Sequence, residues 1–278
     1  MTEALATRRR LIVNADDFGR SSPINQAVLR AHREGILTTA SLMVNGNAFE
    51  EAVEIARENP KLGVGLHVTL VCGRSVLTAQ EIPDLVDRDQ NFNDDPVRSG
   101  LRYFVQRRLH SQLRQEIAAQ FEKFHGTGLR MDHVNGHLHL HLHPTVFGLL
   151  TAHRKEWRWT HLRLVRDPFW LNARLASGHW SYRAAHALVF HLLSRYAEAA
   201  LRRMGARHTR TVFGLLQNGR VDEDYVVKLL PRLPAGDSEL YSHPCLDQSK
   251  AEFGALVSPA VREQVDKLAI QLIRYQDL

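Results

Sequence analysis

The chain has 278 residues, 44% hydrophobic and 24% charged, with a formal net charge of +6; this is the balance of a globular protein with a large core, and the length suits one α/β barrel-type domain. Two cysteines, Cys72 and Cys245, exclude a disulfide framework or a Cys-x-x-Cys site and suit a reducing cytoplasm. No apolar run reaches the roughly 18 residues of a membrane span, the ten residues before the first strand-like run leave no room for a signal peptide, and no basic motif interleaved with aromatics points to nucleic acid.

Leu11 to Asn14 is short and rich in branched side chains and reads as a buried strand. Ile24 to Glu34 reads as a helix, because Ile24, Ala27, Val28 and Ala31 recur at helical spacing. Thr38 to Val44 is a second strand, Ala48 to Glu58 a helix ending near Asn59-Pro60, and Leu62 to Leu70 a third strand. Strand and helix alternate from the start, which predicts parallel βαβ units. Residues 74 to 100 read as a long loop, Leu101 to Phe124 as a helix, Arg130 to Val134 as a strand, and Pro144 to His153 as a helix with proline in its first turn. Leu162 to Val165 is strand-like, and Phe169 to Met204 is a long helical segment rich in aromatics and arginine. Thr211 to Leu215, Asp222 to Leu230 and Ser238 to Ser242 read as strand, helix and strand. Pro259 to Tyr275 closes as a helix, with Ser258 placed to cap it. About seven strand-helix units result, with no internal repeat or linker, so residues 1–278 are expected to form a single barrel domain.

In parallel α/β folds the C-terminal ends of the strands carry the site. Asp16 and Asp17 follow the first strand, His67 ends the third, His137 follows the Arg130–Val134 strand, and His243 follows the Ser238–Ser242 strand. Between His133 and His143 lie five histidines in eleven residues. Carboxylate plus imidazole is a ligand set for a hydrolytic divalent metal, and a second carboxylate beside the metal is what water activation needs. Simpler readings stand beside this one. An Asp-Asp pair after a strand can cap the next helix, and His67 alone can be a hydrogen-bonded core histidine. His133, His139 and His143 read as structural or as support for a ligand.

The stretch Asn14-Ala15-Asp16-Asp17-Phe18-Gly19, the Gly65-Leu66-His67 strand, the run Gly136-His137-Leu138-His139-Leu140-His141 and the late His243-Pro244 together resemble the YdjC-like carbohydrate deacetylase family, which includes chitooligosaccharide deacetylases. The spelling Val134-Asn135-Gly136-His137 with His141-Leu142-His143-Pro144 resembles the hopanoid-biosynthesis-associated branch. The resemblance implies an α/β fold, a distorted (β/α) barrel of the glycoside hydrolase/deacetylase type, and hydrolysis of an N-acetyl group from an amino sugar. It makes Asp17, His67 and His137 the ligands of one divalent metal ion, zinc or magnesium. It makes Asp16 the general base and His243 an acid or transition-state stabiliser, and it places His141 close to the sugar or to the metal shell and Asn135 on the substrate side, where an Asn could also orient a ligand histidine by accepting its hydrogen bond. Asn135 stands where many relatives carry Asp, and Cys245 where a small residue is common.

The implied substrate is an acetylated amino sugar, with a lipid-linked (hopanoid) N-acetylglucosamine for the named branch and soluble chitooligosaccharides as the alternative. Phe169, Trp170, Trp180, Tyr182, Phe190 and Tyr196 lie among several arginines; they read either as a barrel helix with a solvated basic face or as an apolar rim for a lipid-linked sugar. The latter predicts peripheral contact with the inner membrane surface, and base rates favour a homodimer. A non-catalytic metal- or sugar-binding protein would not require the free Asp, and a glycosidase would need two carboxylates flanking the bond.

Overall fold

A computed structural model describes residues 8–278. The expectation about the segment before the first strand falls mainly on residues 1–7 and lies outside the described residues.

Leu11, Ile12, Val13 and Ala15 are all fully buried, so β1 (Arg9–Phe18) is covered on both faces, as a central parallel strand requires. It is followed by α1 (Ser22–Glu34), β2 (Thr39–Leu42), α2 (Phe49–Glu58) and β3 (Gly63–Val68). Then come α3 (Pro96–Val105), α4 (Leu109–Gly126), β4 (Met131–Gly136), a 3₁₀ segment (His137–Leu142) and α5 (Pro144–Ala152). The last part holds α6 (Phe169–Leu175), α7 (Trp180–Arg203), β5 (Thr211–Phe213), α8 (Glu223–Leu229), β6 (Gly236–Ser242), α9 (Lys250–Val257), α10 (Pro259–Lys267) and β7 (Gln271–Ile273).

All seven strands run parallel in the order β4-β3-β2-β1-β6-β5, with β7 pairing the first half of β1. This is the distorted α/β barrel that the resemblance implies, with the expected number of strands among the described residues but not the same seven. Leu162–Val165 is not a regular strand. His161 accepts from Val134 N, Arg163 N donates back to Val134 O, and Arg166 accepts from Val212 N. The segment therefore bridges the gap between β4 and β5, giving each neighbour too few bonds for a ladder. The seventh strand is instead β7, where the long C-terminal helix was expected: α10 stops at Lys267, and Ala269, at φ 49°, turns the chain back to β1.

Three other expectations change. The helix at Leu101–Phe124 is two helices, and the first starts inside the expected loop, where Asp95 Oδ1 accepts from Val97 N and Arg98 N (both 2.9 Å) ahead of Pro96. Phe169–Met204 is broken between α6 and α7, where Gly178 and His179 both have positive φ. Helix α9 has no counterpart in the sequence reading. The expected cap at Ser258 is present, its side chain accepting from Val261 N.

Candidate active site

Asp16 and Asp17 both belong to β1, at its C-terminal end. Asp17 has φ 65°, left-handed for a residue with a Cβ, and Gly19 follows at φ 91°. This bend brings both neighbouring carboxylates to His67, Asp17 Oδ1 3.3 Å from Nε2 and Asp16 Oδ1 3.9 Å from Nδ1, instead of to opposite sheet faces. A second departure follows β4, where Leu138 and His139 have φ of 50° and 58° and swing the chain so that His137 faces Asp17. His67 arrives from β3, in register with Asn135 of β4.

Asp17, His67 and His137 each offer a ligand atom, and these atoms lie within 4.8 Å of one another. Asp17 Oδ1 is 3.0 Å from His137 Nδ1 and 3.3 Å from His67 Nε2, and Oδ2 accepts from Arg20 Nη1 at 2.9 Å. The hydrogen bonds around Asn135 place one proton on His67 Nδ1. Its amide donates to Asp16 Oδ1 (2.9 Å) and Ser41 Oγ (2.8 Å), so its carbonyl must accept from His67 Nδ1 (2.7 Å). His67 Nε2, buried and without a hydrogen-bond partner among the described residues, faces Asp17 Oδ1 at 3.3 Å, and against burial the Asp16 and Asp17 carboxylates raise the pKa of the ring. The contact is balanced by a proton on the ring or, in its place, by a divalent ion, which two imidazoles with a carboxylate suit. Second-ligand support of the His67 kind, through the other ring nitrogen, is also what metal-binding histidines have.

Asp16 lies outside this triad. Its Oδ1 accepts from Asn14 Nδ2 (2.9 Å), Asn135 Nδ2 (2.9 Å) and Arg163 Nη2 (3.0 Å), and its Oδ2 from Arg163 Nη1 (2.6 Å). Burial raises its pKa, but Arg163 and then His67 outweigh burial and hold it far below the usual carboxylate range. For Asp17 too burial raises, and the contacts with His137 and then His67 prevail and lower it. Arg163 is fully buried, also binds Glu239 Oε1 through Nε (2.9 Å) and Nη2 (2.6 Å), and sits 4.5 Å over the Tyr241 ring. Sequence reading missed it. The available signal was a lone arginine inside the apolar run Leu162–Val165, since a buried guanidinium requires carboxylate partners.

His243 follows β6 and is the accessible member, its side chain 32% exposed. Its charge reaches Asp16, and its backbone N–H donates to Glu252 Oε2 at 2.6 Å. Asn135 and His141, expected on the substrate side, are both fully buried. Asn135 links His67 to Asp16 and accepts the His67 Nδ1 hydrogen bond, as a residue that orients a ligand histidine would. His141 Nε2 donates to Arg163 O at 3.0 Å, and burial, with the Arg163 charge against protonation, pushes its pKa down to about 3. His139 bonds Tyr241 Oη at 2.8 Å and is likewise kept neutral, by burial and then Arg163. His133 is held between Ser41 and Asp132 and stacks on Tyr275, and His143 lies against Tyr103 and Phe104. Cys245 is buried, its Sγ 2.6 Å from Asp247 Oδ1.

The model of the YdjC-like protein family matches residues 10–267. A carbohydrate deacetylase of Brevibacillus brevis is 40% identical over 149 residues, which are 54% of this chain and 57% of that protein. A chitooligosaccharide deacetylase of Salmonella dublin is 34% identical over 173 residues, 59% of this chain and 62% of that one. The chain thus spans little more than half the length of the curated relatives it matches. A crystal structure from Enterococcus faecalis V583, described as a cellobiose-phosphate cleavage protein, superposes with a TM-score of 0.72 at 22% identity, over 98% of this chain and 99% of that one; at that identity the likeness is one of fold.

Proposed function

The chain belongs to the YdjC-like protein family, and from that premise we propose that it removes an N-acetyl group from an amino sugar by metal-dependent hydrolysis. The observation that carries the reading is the buried, unpartnered Nε2 of His67 facing Asp17, beside a second carboxylate that the triad does not use. Asp17, His67 and His137 would hold the ion; this donor set favours zinc over magnesium, which prefers oxygen ligands. A divalent ion there would lower the pKa of water and polarise the acetamide carbonyl.

Asp16 takes the proton of the attacking water. Its Oδ2 has one donor, Arg163 Nη1, whereas Oδ1 has three, so Oδ2 keeps the free lone pair. In the resting site Arg163 holds Asp16 in the ionised, proton-accepting form and fixes its orientation. His243, on the open side, gives a proton to the leaving amine. The test is Asp16→Asn. Acetate release from a panel of N-acetylated sugars should fall about 10²- to 10⁴-fold while bound metal stays near wild type; unchanged turnover would reject Asp16 as the base. Acetate without new reducing ends separates amide from glycosidic cleavage.

For the acceptor, a lipid-linked N-acetylglucosamine is supported by two exposed apolar helix faces. Val97, Leu101, Phe104 and Val105 of α3 are 61–79% exposed, and Leu188, Leu192 and Tyr196 of α7 are 58–62% exposed. Both helices pack against α5. The name of the Salmonella relative, a chitooligosaccharide deacetylase, favours chitooligosaccharides instead. Flotation with vesicles decides for surface attachment: recovery with vesicles containing anionic lipid, lost in Leu101→Glu/Leu192→Glu, is the expected result, and no recovery in either case removes the lipid-surface reading.

A further inference from the structure

The two neighbouring carboxylates are each held by an arginine, in different ways. Asp16 is bound through both oxygens by Arg163, which is fully buried. Asp17 is bound through one oxygen by Arg20, whose side chain is 50% exposed. Arg20 Nη1 donates to Oδ2 at 2.9 Å, while Oδ1 lies 3.0 Å from His137 Nδ1 and 3.3 Å from His67 Nε2. The oxygens of Asp17 thus have separate partners, the imidazoles for Oδ1 and the guanidinium for Oδ2. The local chain sets this up. Asp17 is left-handed at φ 65°, Gly19 follows at φ 91°, and Arg20 N donates back to Asp17 O at 3.0 Å, so the turn brings the Arg20 side chain over the carboxylate.

A half-exposed ion pair adds little to stability, so the fold does not depend on Arg20. The consequence of the pair lies at the triad. A carboxylate with both oxygens free can grip a cation with both. One whose second oxygen is held by a guanidinium offers only the first, because the charge-assisted bond occupies that oxygen and fixes the plane of the group. A catalytic zinc site has three protein ligands and keeps a position open; a fourth donor atom from Asp17 would fill it. The positive charge of Arg20 also opposes a cation at the triad directly, by Coulomb repulsion.

We propose that Arg20 is a positioning residue of the metal centre, which restricts Asp17 to ligation through Oδ1 and so keeps a coordination position open. The proposal rests on the reading of Asp17, His67 and His137 as the ligands of the ion. It sets two effects against each other: with Arg20 in place the ion is held less tightly, and the site stays open to substrate. Removal of Arg20 therefore tightens metal binding while it slows turnover. Loss of a merely structural contact would weaken both or neither.

The test compares full-length wild type, Arg20→Leu, Arg20→Lys and Arg30→Leu after removal of metal with a chelator. Arg30, 49% exposed and paired with Glu34, is a control for the loss of one surface charge. Zinc affinity is read by competition with a chromophoric chelator. Coordination number is read from the visible absorption of the cobalt(II) form, which weakens as ligands are added. Arg20→Leu should bind zinc about tenfold more tightly, show weaker cobalt bands, and release acetate about ten- to a hundredfold more slowly, the range expected of a residue that orients a ligand. Arg20→Lys, with the charge and one donor retained, should stay near wild type, and Arg30→Leu should match it. Zinc affinity in Arg20→Leu equal to or below that of wild type, or an unchanged cobalt spectrum, overturns the proposal and leaves the triad standing. Failure of the wild-type chain to bind zinc overturns the triad reading and the proposal with it. The metal readouts decide whether or not the wild type releases acetate.

Discussion

Arg163 holds two buried carboxylates at once, Asp16 and Glu239, and all three side chains are within 2% of complete burial. Replacing it by Met leaves both acids without their cation in a space water does not reach. Removing one partner of a buried ion network costs about 3–5 kcal/mol, so Arg163→Met should lose at least that much stability in urea unfolding, whereas Arg163→Lys should lose less by keeping the charge. A loss under about 1 kcal/mol for the Met variant would mean the acids find other partners. Asn135 shows the same logic from the other side. Asp16 Oδ1 lies 2.9 Å from its amide nitrogen, so a carboxylate there would face a second carboxylate, while the amide gives a donor to Asp16 and an acceptor to His67. The sequence marked Asn135 as the place where the chain departs from its relatives, but its role depends on where Asp16 points, and no spacing rule carries that.

Between β3 and β4 the packing leaves no spare volume. A Cβ on Gly65 would lie 2.5 Å from the His133 ring, which is itself stacked on Tyr275 at 4.4 Å and bonded to Ser41. Gly65→Ala must displace that ring and with it the Ser41 hydroxyl that Asn135 needs. Overpacking of this kind costs about 1–3 kcal/mol; thermal unfolding should show it, together with weaker binding of zinc through the misplaced His67. A variant as stable as wild type would show that β4 shifts freely against β3. The strands with strong apolar patterning were legible from the sequence, and so were the strand ends where Asp16, Asp17, His67 and His137 meet. What escaped was short or governed by partners. Strand β7 has three residues, too few for any period, and exists because β1 offers it an edge. The Leu162–Val165 segment has a strand's composition but lies between two neighbours that each take one or two bonds. The start of α3 was legible in principle, because Asp95-Pro96 is the same cap-and-first-turn pair recognised at Ser258-Pro259.

Across the molecule, a histidine-rich run suggests a chain that gains charge in mild acid, yet the burial of this run reverses the consequence. His141 is fully enclosed and titrates at about 3 in the folded chain against 6.5 when exposed. Between those values the unfolded chain binds a proton there that the folded chain refuses, so the stability His141 contributes is complete above about pH 6.5 and drains away as pH falls toward 3. The drain is about 1.4 kcal/mol per pH unit for one group. Asp167, raised to about 7, works in the opposite direction over much of the same window, because there the folded chain holds the extra proton. The raw pH profile therefore mixes both, and a difference between variants isolates the histidine. His141→Gln keeps a donor for Arg163 O and cannot titrate. Relative to wild type it should lose about 2 kcal/mol less in urea unfolding between pH 6.5 and pH 5, with the two profiles parallel above pH 7. Parallel profiles over the whole range would place a proton on His141 in the folded chain, and with it a positive charge beside Arg163 that the buried network around Asp16 has no acid left to balance.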